Sequence, residues 1–271
     1  MNKNKVMEVS TSNKTLGRLK DYSKSNILEL YTAHQSEGSR AGLPTVVVRT
    51  SGCTHRCCFG EGGWCDSWYT SIHPEKPSYS FNDIIEIYNK NPHIREMMLT
   101  GGSPSMHGTL VNELTHFCFS RGIILTIETE GSHFLETDFK IDLISLSPKF
   151  SNSIPKLGAL TPGGVTVDEK FIKQHNKFRL NKEQIKKTLE YHSDYHYKPV
   201  WVPGDEISIK EIEDFRVEMN IPKNKTWLMP GGSTRKELIP HYAGTINKAL
   251  EMGYNFSPRA HIIAFDVKRG V

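Results

Sequence analysis

Residues 45–66 read TVVVRTSGCTHRCCFGEGGWCD, and the two halves of that stretch decide the fold. The first half, 45–50, is a β-branched run closed by Ser51-Gly52, the pattern of a strand buried on both faces. The second half packs Cys53, Cys57, Cys58 and Cys65 into one glycine-rich loop. Such a loop lets several thiolates converge on an iron–sulfur cluster. A ligand loop directly after a strand is what a parallel α/β sheet places at its active rim.

Working outward, strand-like runs alternate with helix-like ones. Residues 81–89 read as a helix entered through Ser80, with Phe81, Ile84, Ile85 and Tyr88 on one face. Residues 97–100 form a strand ending in Gly101-Gly102. Leu110, Leu114, Phe117 and Cys118 share the next helix face, stopped near Gly122. Further strands are expected at 123–128, 142–146, 199–202, 226–229 and 261–265, with helices at 210–219 and 236–252. This alternation implies a mostly parallel sheet with right-handed crossovers. Residues 1–25 read as an N-terminal extension, and 26–271 as one main domain. The stretch 151–197 breaks the rhythm and reads as an insertion.

Composition narrows the class. The chain has 271 residues, 37% hydrophobic and 24% charged, enough to bury a core without disulfides. No apolar run approaches the ~20 residues of a membrane-spanning helix, and the polar, lysine-rich start lacks a signal peptide's apolar segment. A cytoplasmic protein without membrane partners is expected. The net charge of +4 is spread along the chain, with no aromatic-and-basic module for direct nucleic-acid binding. Five cysteines without an export signal argue against a disulfide framework. Cys118, on an apolar helix face, reads as core.

Cys53, Cys57 and Cys65 give an x3 interval followed by an x7 interval. Taking Cys58 in the middle gives x4 and x6 instead. The shorter first interval favours Cys57, but Cys58 stays open. A zinc knuckle using all four thiols is the third alternative, and adjacent Cys57 and Cys58 make its tetrahedral closure awkward.

Several segments, in order, resemble one radical S-adenosylmethionine (SAM) family, the 7-carboxy-7-deazaguanine synthases of the queuosine pathway. They are His34-Gln35-Ser36-Glu37-Gly38, Ser51-Gly52-Cys53, Trp64-Cys65-Asp66-Ser67 and Leu99-Thr100-Gly101-Gly102-Ser103-Pro104. Ile127-Glu128-Thr129-Glu130-Gly131-Ser132, Ser147-Pro148-Lys149 and Lys268-Arg269-Gly270-Val271 complete the set. The resemblance implies a partial (β/α)6 TIM-like barrel with an enlarged cluster loop, since the usual spacing is C-x3-C-x2-C. It implies a 4Fe–4S cluster on three cysteines, SAM on the open iron, and Mg²⁺ beside the substrate.

The implied reaction converts 6-carboxy-5,6,7,8-tetrahydropterin to 7-carboxy-7-deazaguanine with loss of ammonia. Hydrogen is abstracted at C6, the ring contracts, and returned hydrogen regenerates SAM. An electron donor such as flavodoxin and a homodimer are the implied partners. His34, Gln35, Ser36, Arg49, Thr100 and Val271 match substrate-binding positions, and Ser67 the Mg²⁺ ligand. Trp64, Cys65, Asp66, Gly102, Ser147, Pro148 and Lys149 match segments beside SAM. Met229, Pro230, Gly231 and Gly232 occupy the next such strand end, with residues unlike the family's usual ones. Glu128 and His261 are further pocket candidates. Ser103 departs from the pattern, standing where many radical SAM enzymes place the glutamate that takes the SAM ammonium. A small glycyl-radical activating enzyme is the nearest rival, and a non-catalytic zinc-stabilised binding protein the rival from another class.

Overall fold

The computed structural model describes residues 26–59 and 63–271. The expected extension over 1–25 lies outside them. β1 (Ile27–His34) runs antiparallel to β2 (Pro44–Thr50), with Leu30 opposite Val48. Val46, Val47 and Val48 are all buried, as a two-sided valine run requires. The sequence reading did not foresee β1, whose alternation is broken by Glu29, Tyr31 and Thr32.

α1 (Phe81–Lys90) starts at a capping box between Ser80 and Asp83 and buries Phe81, Ile84 and Tyr88. β3 (Glu96–Gly101) pairs parallel with β2. α2 (Gly108–Arg121) then ends at Gly122, whose φ of +59° is the left-handed cap that glycine adopts without strain. β4 (Ile124–Thr129) and β5 (Leu143–Leu146) add two parallel strands. α3 (Glu169–Phe178) and α4 (Lys182–Tyr191) follow, capped by Asp168 and Asn181.

β6 (Tyr195–Tyr197) completes a six-stranded sheet in the order β1-β2-β3-β4-β5-β6. The expected insertion is therefore smaller than 151–197. α4 buries Ile185 against Gly131 and joins the main core, so α4 and β6 continue the α/β alternation. A three-residue strand reading Tyr-His-Tyr carries too little pattern to stand out in sequence.

A second sheet contains β7 (Val200–Trp201), β8 (Trp227–Pro230) and β9 (Asn255–Phe256) in the order β9-β8-β7. A parallel bridge from Tyr197 to Thr226 links it to β6. α5 (Glu206–Glu218) and α6 (Arg235–Met252) flank it in sequence. Residues 261–265, expected as a strand, instead belong to α7 (Ala260–Phe265). Only Ile262 of that short helix is buried, while Ile263 and Phe265 face outward. A five-residue apolar run does not distinguish the two conformations by periodicity. The result is a mixed α/β fold with a mostly parallel central sheet.

Candidate active site

The carboxyl ends of the strands open onto one cavity of about 350 Å³, within the range of small-ligand sites. The cysteine loop forms one wall. Cys53, Cys57 and Cys65 all line the cavity. Cys58 does not; it packs with Trp64, Ile72 and Val167 in a separate apolar cluster that Phe171 and Ile172 of α3 complete. The adjacent thiols point to different environments because residues 58–59 pair antiparallel with 63–64, and a strand sends successive side chains to opposite faces. Four-thiol closure around one ion is incompatible with this separation.

Burial raises all three cavity thiols above their ordinary value, and Cys57 and Cys65 raise Cys53 further, as Cys65 does Cys57. Cys65 reaches about 11, with Asp66 the second cause. As thiolates they need a cationic partner, which suits an iron–sulfur cluster. Behind them, His175 of α3 accepts the Arg56 amide at 3.0 Å, and the Trp64 indole donates to the Leu160 carbonyl at 3.0 Å. The stretch before and within α3 therefore backs the loop.

Opposite stands a chain of buried charges. Lys198 reaches Glu37 at 2.6 Å and Glu128 at 2.8 Å, with 1% of its side chain exposed. Arg259 joins Glu37 at 3.0 Å to Asp66 and also donates to the Gly232 carbonyl. Burial alone would raise Glu37, yet Lys198 and Arg259 hold its carboxyl far below the usual range. Ser145 donates to Glu128 at 2.8 Å and meets His196 at 2.6 Å. Burial keeps that imidazole neutral, at about 3.

A third cluster surrounds Arg49. It donates to Glu29 at 2.6 Å and to Ser67 Oγ at 3.0 Å, while Ser67 donates to Asp66 at 3.2 Å. Arg269 donates to Glu29 and Glu75 and lies 3.5 Å over the Tyr69 ring, bringing Val271 to the cavity wall.

Of the residues singled out in sequence, His34, Ser36, Arg49, Trp64, Cys65, Asp66, Ser67, Thr100 and Gly102 line the cavity. So do Glu128, Ser147, Lys149, Met229, Gly231, Gly232, His261 and Val271. Gln35, Pro148 and Pro230 are not among its lining. Gln35 turns inward toward Glu96, at 3.5 Å, beside the Arg40–Glu96 ion pair. At Gly102 a Cβ would strike the Gly52 carbonyl, so close packing of the chain on itself already demands glycine there. Lys198, Arg259 and His55 were missed. Lys198 and Arg259 belong to segments with no motif, while His55 lies inside the cysteine loop, where the thiols drew the reading past it.

The arrangement is that of an α/β enzyme with a thiol-walled cavity at the carboxyl ends of parallel strands. No family model matches the chain. It is 34% identical over 242 residues to the 7-carboxy-7-deazaguanine synthase of Halobacterium salinarum, covering 87% of this chain and 88% of that protein. It is 29% identical over 244 residues to the same-named protein of Rhodopirellula baltica, covering 90% and 88%. The chain belongs to the 7-carboxy-7-deazaguanine synthase family. The crystal structure of QueE from Escherichia coli shares its fold, with a TM-score of 0.58 at 17% identity, covering 91% of this chain and 98% of that one.

Proposed function

We propose that the protein is a radical SAM lyase that converts 6-carboxy-5,6,7,8-tetrahydropterin to 7-carboxy-7-deazaguanine with release of ammonia. The observation that carries this reading is the meeting of Cys53, Cys57 and Cys65 in one cavity with Arg49 and the Lys198 network. Three thiols fit a 4Fe–4S cluster that leaves one iron open. Bound together, the cluster and SAM supply the radical chemistry at C6 of the pterin.

The chain's own residues bind and orient. Cys53, Cys57 and Cys65 would hold the cluster, with Cys58 kept to its apolar cluster. Arg49, at the end of β2, would exchange Glu29 for the substrate carboxylate, a partner its planar fork suits. Lys198, fixed between two carboxylates, gives the cavity a rigid polar floor for the heterocycle, and Thr100, His34, Ser36 and Val271 flank it. Gln35 would act through the turn it anchors. Ser67 Oγ and the Asp66 carboxylate are hard oxygen donors suited to Mg²⁺. Trp64, Gly102, Ser147, Lys149, Met229, Gly231 and Gly232 form the wall left for SAM, with Pro148 and Pro230 shaping its backbone.

Residues 26–271 would act as one domain, read as a partial barrel in which the Tyr197–Thr226 bridge joins the two sheets. An electron donor such as flavodoxin, and pairing into a homodimer, complete the proposal. The test is anaerobic incubation of cluster-loaded protein with reductant, SAM, Mg²⁺ and carboxytetrahydropterin, followed by mass spectrometry. Carboxydeazaguanine is expected. SAM cleavage without that product would overturn the substrate, and a colourless zinc protein would overturn the radical SAM reading itself.

A further inference from the structure

The cavity is lined by the carboxylates of Glu37, Asp66, Glu128, Glu130 and Glu237. Four of these have a fixed protein partner. Glu37 lies between Lys198 and Arg259, Asp66 against Arg259, and Glu128 against Lys198. Glu237 closes the capping box of α6. Glu130 differs: among the described residues no lysine or arginine stands within ion-pair distance of it. Its ion-pair neighbour is His55, whose Nδ1 lies 3.9 Å away, beyond hydrogen-bond distance, and meets the Thr54 hydroxyl at 2.9 Å instead.

Glu130 is nevertheless 6% exposed. The hydroxyls of Ser103 and Ser132 both donate to its Oε1, and Ser105 approaches the same oxygen at 3.4 Å. Hydroxyl bonds orient a carboxylate and lower its cost of burial, but they do not neutralise it. An oriented, buried carboxylate without a lysine or arginine partner, on the wall of a ligand cavity, is a seat for a cation that the ligand brings. It lines the same cavity as Cys53 and Cys57 of the thiol wall.

Of the ligands proposed above, SAM carries an ammonium group with three N–H donors. We propose that Glu130 accepts the α-ammonium of SAM, and that Ser103 and Ser132 are positioning residues which aim it. The proposal rests on the radical SAM reading. It also accounts for Ser103, which stands where a glutamate is expected from the resemblance. The carboxylate comes from the end of β4 instead of the end of β3, and Ser103, after β3, is its hydrogen-bond donor.

The test is anaerobic equilibrium dialysis of cluster-loaded protein against SAM and against its analogue lacking the α-amino group, with iron content measured alongside. Glu130→Gln keeps the shape and removes the charge. It is expected to weaken SAM binding by about 10- to 100-fold, the range for one charge-assisted bond, while changing analogue binding less than about threefold. Iron content should stay at the wild-type level. Ser103→Ala, which leaves Glu130 charged but less firmly aimed, should give a smaller loss with the same selectivity, and serves if E130Q does not fold. Equal losses for SAM and the analogue, lost iron, or unchanged SAM binding in E130Q would each overturn the proposal. Wild-type protein that carries its cluster but binds no SAM would instead sink the reading beneath it.

Discussion

Lys198 donates to Glu128 at 2.9 Å from a position that solvent does not reach, so an ammonium is fixed at the floor of the cavity by the carboxylates of Glu128 and Glu37. Burial would lower Lys198, and Glu128 and Glu37 together more than reverse that, keeping it charged. Its removal leaves two mostly buried carboxylates facing one another, of which Glu37 alone keeps an ion-pair partner among the described residues, Arg259.

Lys198→Met is therefore expected to destabilise the fold by about 3–5 kcal/mol, the usual cost of breaking a buried ion pair from one side. Urea unfolding of cluster-free protein measures it. A loss below about 1 kcal/mol would mean that water reaches these carboxylates and the network is not structurally coupled.

The two adjacent cysteines should separate cleanly. Cys57→Ala is expected to lose most of the iron after anaerobic reconstitution, because one of three cavity thiols is gone. Cys58→Ala should keep its iron and lose only about 1 kcal/mol of stability from a small gap in the apolar cluster. The reverse order of iron contents would show that the loop rearranges on loading.

Arg49 sets a third test. Arg49→Lys keeps one charge but loses the planar fork, and is expected to raise the KM for the carboxylated pterin by about tenfold or more. SAM affinity should not change. If KM stays constant while the protein loses stability, Arg49 serves only its ion pair with Glu29.

Acid should weaken the fold through buried neutral imidazoles. His192 accepts the Ile141 amide at 3.1 Å and meets the Leu135 carbonyl at 2.9 Å, the pattern of a neutral ring donating from Nε2. Burial lowers it to about 4 from an ordinary 6.5. The unfolded chain therefore binds a proton that the folded chain refuses. This contribution is complete above pH 6.5 and is lost as pH falls toward 4. Between pH 7 and 5 it amounts to about 2 kcal/mol, and His192→Gln should flatten the pH dependence by that amount in urea titrations. An identical slope in the variant would place the acid sensitivity elsewhere.

How much of this was readable in the sequence depended on the kind of signal. The valine run before Cys53, the capping box at Ser80 and Gly122 after α2 are local patterns, and each marks its element correctly. α7 and β6 were missed because five or three residues carry no resolvable period, and their conformations follow from what they pack against. The same holds within the site. Arg49 and Thr100 near strand ends, and Ser67 just after the cysteine loop, sit in recognisable motifs, and the structure brings them to the cavity. Lys198 and Arg259 sit in no motif, and their importance comes from partners 161 and 222 residues away in the chain. Gln35 shows the opposite case, a motif residue whose side chain is turned toward Glu96.

Cys58 and Trp64 press the back of the cysteine loop onto Val167 and Phe171. The lengthened loop and the segment around α3 are thus complementary halves of a single graft. A chimera given a C-x3-C-x2-C loop would leave Val167 and Phe171 with nothing to cover. One given the long loop without α3 would expose Cys58 and Trp64 to solvent. Neither half can be traded alone, so any lineage or design that carries one should carry the other.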